Sequence, residues 1–460
     1  MKVEVRSPWD GTVLETLHMG GIAHVEELLH KATGALRSCK AWIPVWERRE
    51  ILLKTAADVK ARHEEFALLI AREGGKPLMD ARVEVTRAIG GIELAAEEMG
   101  RMSGREVPMG LTPASTGRLA VTIREPIGVV VAVSAFNHPL NLIVHQVMPA
   151  VATGCPVIVK PATRTPLSCL ALVECLHRNG LPEAWCQVAL LGRSEAEALV
   201  TDSRVDYFSF IGSATVGWGL RSKLAPGTRC GLEHGGAAPV VVGDRVDLDL
   251  LVPPLMKGGF YHAGQVCVSV QRVFAMKGIA GELAAKMAQA ASTLIVGDPT
   301  DSSTDVGPLI HSGEADRVDE WVKDAVKDGG QVLCGGVKVA ESAYAPTIVM
   351  APPKTARVST EEIFGPVICV YPCEDVNDAV RRANSVKMAF QASVFTQDID
   401  TAMHVARHLD ASAVMINDHT AFRVDWMPFG GRRESGLGVG GIGYTMREMT
   451  QEKLIVLHHR

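Results

Sequence analysis

Five short apolar runs alternate with helix-like segments between residues 128 and 242, and this rhythm constrains the fold more than any other feature of the sequence. The runs are rich in valine, isoleucine and phenylalanine, and they cover residues 129–133, 157–159, 188–191, 207–211 and 240–242. Helical patterns separate them, at about 141–152, 165–179, 194–200 and 215–225. Short buried strands joined by helices are typical of a parallel sheet covered on both faces, which binds ligands at the carboxyl ends of its strands. The pattern therefore predicts an α/β fold.

The remaining sequence adds helices before this block and a second alternating block after it. Apolar residues at helical spacing predict further helices over 24–40, 46–73, 80–100, 280–293 and 315–328. Strands are predicted at 367–371, 412–416 and 454–457. A chain of 460 residues exceeds one ordinary core, so two or three domains are expected. The last strand has no obvious local partner, which leaves open pairing with another subunit, pairing within the chain, or both.

Charge and composition argue against several classes of protein. The formal net charge is −5 and no basic tract occurs, so nucleic acid is not an expected partner. Residues 1–6 lack an apolar signal core and start like a strand. The apolar stretch 140–159 contains polar residues and prolines, so a buried helix followed by a buried strand explains it better than a membrane span.

The ten cysteines show no disulfide-like pattern. In a chain of this size without a signal core, they predict reduced thiols and a cytoplasmic protein. Cys369 and Cys373 lie close together, but no second pair of cysteines or histidines completes a zinc site. We therefore expect no metal.

Two motifs in the first block suit a bound dinucleotide. Residues 212–217 follow a predicted strand and open a helix, where glycines and helix N–H groups accommodate a pyrophosphate. Lys160 ends another strand, at the edge where an open α/β sheet binds ligands, and it is placed to bond ribose hydroxyls. A plain turn explains the glycines almost as well, and a solvent-facing lysine beside Pro161 explains Lys160.

Three further positions carry groups suited to carbonyl chemistry. Cys267 offers a thiol, Glu233 offers a carboxylate next to two glycines, and Asn137 offers an amide at the end of the first strand of the sheet. Taken singly, each has a commoner structural explanation, namely an inert buried cysteine, a loop glutamate and a turn-forming asparagine. A reactive cysteine also needs a lowered pKa, for instance at a helix N-terminus.

Together and in this order, these segments resemble the aldehyde dehydrogenase family over essentially the whole chain. The matching motifs are Phe136-Asn137, Lys160-Pro161, Gly212 to Gly217, Glu233 to Gly236, Gly264 to Cys267, Glu362 to Pro366, and Pro428 to Gly431. The resemblance implies that Cys267 is the nucleophile and that Glu233 is the general base. It also implies that the Asn137 side chain and the backbone N–H of Cys267 hold the oxyanion.

The same resemblance implies a set of residues for the cofactor and one for the aldehyde tunnel. Lys160 matches the contact to the adenosine ribose, Gly212 and Ser213 the pyrophosphate loop, Glu362 the nicotinamide-ribose carboxylate, and Phe364 the neighbour of the nicotinamide ring. Phe429 matches an aromatic side chain that lines the tunnel.

One departure from the family bears on the cofactor. The family often has a glutamate three residues after the strand-end lysine, where it binds both ribose hydroxyls, and this chain has Thr163 followed by Arg164. A glutamate repels a 2′-phosphate, whereas threonine does not and a nearby arginine attracts one. We therefore predict NAD(P) use, with NADP accepted. The alternative is that Arg164 only faces solvent.

A second departure bears on the substrate. The predicted tunnel residues are more polar than an enzyme for fatty or aromatic aldehydes would need: His138, His145, Val266, Val268, Arg423 and Phe429, with His419 nearby. They predict a small polar aldehyde, hydroxylated or anionic, whose distal group lies near His138, His145 or Arg423. The alternative is that Arg423 pairs with Asp418 or Asp425 and that the histidines only pack.

The leading hypothesis is a non-acylating, NAD(P)-dependent aldehyde dehydrogenase. A CoA-acylating enzyme of the same fold is a competitor, although Glu233 argues against it, and a catalytically silent binding protein is a third hypothesis. The resemblance implies a Rossmann-like dinucleotide-binding domain (1–105 and 127–240), an α/β catalytic domain (241–437) and a small β oligomerisation arm (106–126 and 438–460). A homodimer or a homotetramer is expected, and the sequence does not decide between them.

Overall fold

The computed structural model, which describes residues 2–37 and 42–458, alternates helices and strands along the chain. Its helices are α1 (Ile22–Arg37), α2 (Val45–Ala61), α3 (His63–Gly74), α4 (Leu78–Glu98), α5 (Asn141–Thr153), α6 (Leu167–Arg178), α7 (Arg193–Thr201), α8 (Ala214–Arg221), α9 (Leu248–Phe260), α10 (Lys277–Ala291), α11 (Ser312–Lys327), α12 (Arg357–Thr360), α13 (Val376–Ala383), α14 (Ile399–His408) and α15 (Ile442–Glu448).

The strands, in chain order, are β1 (Lys2–Arg6), β2 (Val13–His18), β3 (Glu106–Val107), β4 (Arg118–Pro126), β5 (Val130–Val133), β6 (Val157–Lys160), β7 (Cys186–Val188), β8 (Tyr207–Ile211), β9 (Arg229–Glu233), β10 (Ala238–Val242), β11 (Val270–Met276), β12 (Gln331–Cys334), β13 (Thr347–Met350), β14 (Val367–Cys373), β15 (Met388–Ala389), β16 (Gln391–Phe395), β17 (Ala413–Ile416), β18 (Arg432–Arg433), β19 (Gly436–Leu437) and β20 (Thr450–His458).

The first large sheet has the strand order β19-β9-β8-β5-β6-β7, and its pairs are parallel except for β19 with β9. Successive strand residues point to opposite faces. Val130 and Val157 pack against α2, α4, α5 and α6, whereas Val129 and Ile158 pack against α1 and α7. The predicted parallel sheet with two covered faces is therefore confirmed.

The second large sheet has the order β12-β13-β14-β11-β10-β16-β17, and it is parallel except for β12 with β13. The run 240–242, grouped in the sequence with the first sheet, is part of β10 and pairs with β11 and β16 here. That grouping was wrong, because an apolar run carries no information about which of two sheets receives it.

Two local predictions also differ from the structure. The helix predicted over 46–73 is divided into α2 and α3 at Arg62, whose backbone leaves the helical region at φ −103° and ψ 22°. Strand β9 has no apolar run to mark it, yet it pairs in parallel with β8 and ends at Glu233. The last residues of the helix predicted over 24–40 lie outside the described residues.

A small three-stranded sheet of order β20-β4-β3 contains the carboxyl-terminal strand β20 at its edge. Strand β20 pairs antiparallel with β4 along its whole length, from Thr450 with Pro126 to His458 with Arg118. Pairing within the chain is thus confirmed. β20 is an edge strand whose other side pairs with no strand in the described part of the chain, and its apolar side chains Leu454 to Leu457 are exposed.

The apolar stretch 140–159 forms the buried helix α5 followed by β6, as predicted. Among the helices of residues 2–37 and 42–458, none combines the length and the apolar character needed to cross a bilayer. The cysteines in these two ranges are free thiols.

Candidate active site

A cavity of about 970 Å³ lies at the carboxyl ends of β5, β8 and β9. It is lined by most of the site residues predicted from the sequence: Asn137, His138, Gly212, Ser213, Glu233, Val266, Cys267, Val268, Glu362, Phe364, Arg423 and Phe429. Three others, Lys160, Thr163 and His145, do not line it. Chain segments far apart in the sequence therefore meet at one strand edge, as expected for an open α/β sheet.

Cys267 stands in the loop between the 3₁₀ turn Tyr261–Gly264 and β11, and not at the start of a helix. Its side chain contacts a small apolar cluster around Phe429. Burial raises the pKa of the Cys267 thiol to about 12, against a lowering by the charge of Arg423. The thiol is therefore protonated at neutral pH, and the lowered pKa expected for a reactive cysteine is not found in this state of the site.

The loop before Cys267 is held rigidly by Gln265. Its side-chain amide donates to the backbone oxygens of His262 and Pro308, at 3.3 and 3.2 Å, and its Oε1 accepts from the backbone N–H of Ile310 at 2.9 Å. The Asn137 amide donates to the backbone oxygen of Gln265 at 2.8 Å. The predicted oxyanion donor and the nucleophile loop are thus directly bonded to each other.

Glu233 ends β9, and its backbone oxygen accepts from the N–H of Gly212 at 3.0 Å. Its carboxylate lies so close to Gly440 that a side chain at that position would collide with it. Burial raises the pKa of Glu233, whereas the charge of Arg423 lowers it. A carboxylate of raised pKa in a cavity is suited to accept a proton from water near neutral pH.

Glu362 lies opposite, on the loop before β14. Its Oε1 accepts from the backbone N–H of Gly236 at 3.2 Å, and the carboxylate fills the space where Gly235 would otherwise carry a side chain. Burial raises the pKa of Glu362 to about 8. Phe364 has a left-handed backbone at φ 47°, and its ring meets that of Phe136 edge to face at 5.8 Å.

The cavity continues towards the start of α8, where Gly212 and Ser213 follow β8. Ser213 makes no side-chain cap to this helix, so its first backbone N–H groups remain available to an anion. Lys160 ends β6, which is separated from β8 by β5; its Nζ lies 3.1 Å from the backbone oxygen of Pro161, and burial lowers its pKa. These features fit the pyrophosphate and ribose of a dinucleotide. Thr163 lies on the exposed rim beyond them.

His138 and Arg423, which were predicted to contact the substrate, both line the cavity. The Nε2 atom of His138 lies 3.3 Å from the hydroxyl of Tyr261, and burial holds the pKa of His138 well below its ordinary value. Neither Asp418 nor Asp425 lies within 4 Å of the Arg423 guanidinium; the guanidinium lies over the ring of Phe429, 3.5 Å from its centroid. The alternative pairing of Arg423 is therefore not found.

Several residues of the site were missed by sequence reasoning. Arg317 on α11 lines the cavity, and its Nη2 donates to the backbone oxygen of Ile363 at 2.7 Å, beside Glu362. Arg87 on α4 also lines the cavity and binds Asp425, which is 338 positions away. No local motif marks these residues, because single arginines on amphipathic helices are ordinary surface residues.

Comparison with known proteins places the chain among relatives over its whole length. A family model described as the aldehyde dehydrogenase family matches residues 1–455. A 3-sulfolactaldehyde dehydrogenase from Priestia aryabhattai is 37% identical over 438 residues, which are 95% of this chain and 91% of that protein.

Solved structures are also closely similar. Aldehyde dehydrogenase 21 from Physcomitrella patens, in complex with the reaction product succinate, has a TM-score of 0.96 and 35% identity, and covers 100% of this chain and 95% of its own. The NADP-dependent glyceraldehyde-3-phosphate dehydrogenase from Bacillus halodurans, complexed with NADP, has a TM-score of 0.96 and 32% identity. The match covers 100% of this chain and 96% of that structure's chain.

Proposed function

This chain belongs to the aldehyde dehydrogenase family and is an NAD(P)-dependent oxidoreductase, and we propose that it converts a small polar or anionic aldehyde to its carboxylate through a thioester on Cys267. The observation that carries the proposal is the shared cavity lined by Cys267, Glu233 and Asn137. A thiol, a carboxylate and an amide around one space are the groups that covalent aldehyde oxidation requires.

In the proposed reaction the Cys267 thiol gives its proton to Glu233, which passes it to solvent, and the sulfur attacks the aldehyde carbon. The carbonyl oxygen becomes an oxyanion, which the Asn137 amide and the backbone N–H of Cys267 stabilise. NAD(P), when bound, would accept the hydride whose departure from this adduct leaves the thioester. Glu233 then takes a proton from water, the water oxygen attacks the thioester, and the C–S bond breaks to release the carboxylate and the thiol.

We assign the cofactor to the side of the cavity nearest α8. Gly212 and Ser213 supply the pyrophosphate loop, Lys160 the contact to the adenosine ribose, and Glu362 with Phe364 the nicotinamide end. Position 163 is exposed and carries threonine in place of an acid that would repel a 2′-phosphate. We therefore propose that NADP is accepted as well as NAD.

The proposed substrate class rests on the polar residues of the cavity and on the relatives. The similar proteins include a sulfolactaldehyde dehydrogenase, a structure with bound succinate and a glyceraldehyde-3-phosphate dehydrogenase, whose names all point to small polar or anionic compounds. The apolar walls Val266, Val268 and Phe429 bound the space beside Cys267, and we propose that they limit the size of the aldehyde.

The test is an assay of reduced cofactor formed from a panel of short aldehydes, with NAD and NADP, followed by identification of the product. Free acid is expected, with activity abolished in Cys267→Ala. Formation of an acyl-CoA in place of the free acid, or full turnover by Cys267→Ala, contradicts the proposal. Faster turnover of long-chain than of short polar aldehydes contradicts the substrate class.

We further propose that the protein forms a homodimer or a homotetramer through the open edge of β20, where Leu454 to Leu457 are exposed. A monomer in light scattering at micromolar concentration contradicts this. The free thiols of the described chain support a reducing compartment, the cytoplasm, which fractionation of the native host tests.

A further inference from the structure

Two arginines, Arg87 and Arg423, line the substrate end of the cavity in different electrostatic situations. Arg87 donates twice to Asp425, from Nε to Oδ2 at 3.2 Å and from Nη2 to Oδ1 at 2.7 Å. Arg423 has no carboxylate within 4 Å among residues 2–37 and 42–458. Glu233 interacts with Arg423 electrostatically, but it lies beyond that distance. The charge of Arg87 is therefore neutralised by a direct ion pair, and the charge of Arg423 is not.

Arg423 is nevertheless fixed in place. One face of its guanidinium lies on the ring of Phe429, and Nη2 lies 3.4 Å from Nδ1 of His145. Its Nε is shielded and has no hydrogen-bond partner in the described chain. A planar cation held by stacking and at one corner keeps its remaining Nη donors for a ligand.

His145 is the link between Arg423 and the ion pair behind it. Its Nε2 lies 2.8 Å from Oδ1 of Asp425, which also accepts from the Asn141 amide at 3.2 Å. Because the carboxylate can only accept, Nε2 carries the hydrogen and the lone pair of Nδ1 faces Arg423. Burial, together with the charge of Arg423, lowers the pKa of His145 to about 4, so the ring is neutral at physiological pH.

From this arrangement we infer that the substrate carries a carboxylate or a sulfonate at the end remote from the aldehyde, that Arg423 binds this group, and that His145 and Asp425 are positioning residues for Arg423. The inference rests on the proposed function and narrows its substrate class from polar to anionic. A partly buried cation without a partner is unfavourable, and an anion with two oxygens supplies the partner. A neutral hydroxyl leaves the charge uncompensated.

Lys257 is the other cation of the cavity wall that matters for this choice. Its side chain is exposed at the rim, where water screens its charge, so it attracts anions without selecting among them. Selection therefore falls to Arg423.

The first measurement compares a four-carbon aldehyde bearing a terminal carboxylate with the same aldehyde bearing a terminal carboxamide, which has the same shape and no charge. The wild-type enzyme is expected to prefer the carboxylate by about 10- to 100-fold in kcat/KM, the effect of a hydrogen bond to a charged group. A three-carbon aldehyde with a terminal sulfonate or sulfonamide gives the same comparison for the second anion.

The second measurement repeats the comparison in two variants of His145. His145→Phe keeps the ring but removes the acceptor for Arg423, and the preference is expected to fall about tenfold, through a higher KM for the carboxylate substrate. His145→Asn keeps an oxygen near the position of Nδ1 and is expected to retain most of the preference. Arg423→Met is expected to abolish it, and Arg87→Met to reduce it less.

Three results overturn the inference: equal turnover of the two wild-type substrates, equal losses on both substrates in His145→Phe, or equal defects in the Phe and Asn variants. In each case the carboxamide is still oxidised, so the proposed function stands. If no aldehyde of the panel is oxidised by the wild-type enzyme with either cofactor, the proposed function itself fails.

Discussion

The proposed reaction centre (Cys267, Glu233 and Asn137) and the charged cluster behind it (Arg87, Asp425 and His145) each hold a carboxylate, but in opposite electrostatic situations. In the described chain, Cys267 and Glu233 have no ion-pair partner within 4 Å, and burial raises the pKa of both. In the charged cluster every charge has a partner. Unpaired groups are free to exchange protons with substrate and water, whereas paired groups fix positions.

Replacing the amide of the reaction centre should have the largest effect. Asn137→Ala removes a donor that stabilises charge only in the transition state, so kcat is expected to fall about 10²- to 10³-fold with little change in KM. Steady-state kinetics with a short aldehyde measures this. Asn137→Asp, which places a repulsive charge at the same position, should be worse than Ala. A fall in kcat of less than threefold in Asn137→Ala would show that the oxyanion is held elsewhere.

Removing the base should separate the two halves of the reaction. Glu233→Gln keeps the shape of the side chain but cannot take a proton from water, so steady-state turnover is expected to fall about 100-fold or more, while a single burst of reduced cofactor remains. Stopped-flow absorbance measures the burst.

The pH dependence of the wild-type enzyme sharpens this prediction. Because burial raises the pKa of Glu233, its carboxyl group stays protonated up to a higher pH than an exposed glutamate does. Only the deprotonated form can act as a base, so kcat is expected to rise as the pH increases through the raised pKa. Glu233→Gln should lose the corresponding limb of the profile. An identical profile in the variant would assign the titration to another group.

Breaking the ion pair of the charged cluster should lower the free energy of unfolding of the protein. Asp425→Asn leaves the half-buried Arg87 without its counter-charge, and the free energy of unfolding is expected to fall by about 2 kcal/mol, measured by urea denaturation at pH 7. Glu125→Gln, which breaks the exposed pair with Lys453, is a matched control expected to change it by less than about 1 kcal/mol.

Asp425 also determines part of how the free energy of unfolding changes at acid pH. Although burial raises it, the hydrogen bond from His145 and the charge of Arg87 hold the pKa of Asp425 well below its ordinary value. Its contribution is therefore fully present above the unfolded-state pKa of 3.8 and is lost only as the pH falls below it. The difference between Asp425→Asn and the wild type should stay constant from pH 7 to pH 5, and a difference that vanishes in this range would contradict the pairing.

A charge placed outside both regions should have the smallest effect. Thr163 is exposed and follows Lys160, the proposed ribose contact, and Thr163→Glu is expected to lower the ratio of kcat/KM for NADP to that for NAD about tenfold, because the carboxylate repels a 2′-phosphate. Thr163→Gln is the uncharged control. A strong NAD preference already present in the wild type would contradict the prediction that NADP is accepted.

The two regions also differ in how far the sequence predicts them. Cys267, Glu233 and Asn137 lie in short motifs beside glycines or at strand ends, where the local chemistry is unusual enough to be noticed. The pair of Arg87 with Asp425 joins α4 to the loop between β17 and β18, and only tertiary packing brings them together. His145 was expected to face the substrate, but α5 directs it to Asp425, behind the cavity wall.

The same distinction applies to the fold. Strands β5, β6 and β8 could be predicted because each is an apolar run followed by a helix, whereas β7 (Cys186–Val188) shares only Val188 with the predicted run 188–191. Strand β9 could not, since its sequence Arg229–Glu233 is polar and its pairing with β8 supplies what its composition lacks. β10 was recognised as a strand but assigned to the wrong sheet, because the crossing between sheets is set by long-range packing.

The carboxyl-terminal segment packs directly against the proposed general base, Glu233. Gly436 pairs with Glu233, Gly440 closes over its carboxylate, and after α15 the chain ends in the exposed β20. A side chain introduced at Gly440 would therefore meet the Glu233 carboxylate, so even Gly440→Ala is expected to displace the proposed base from outside its own strand.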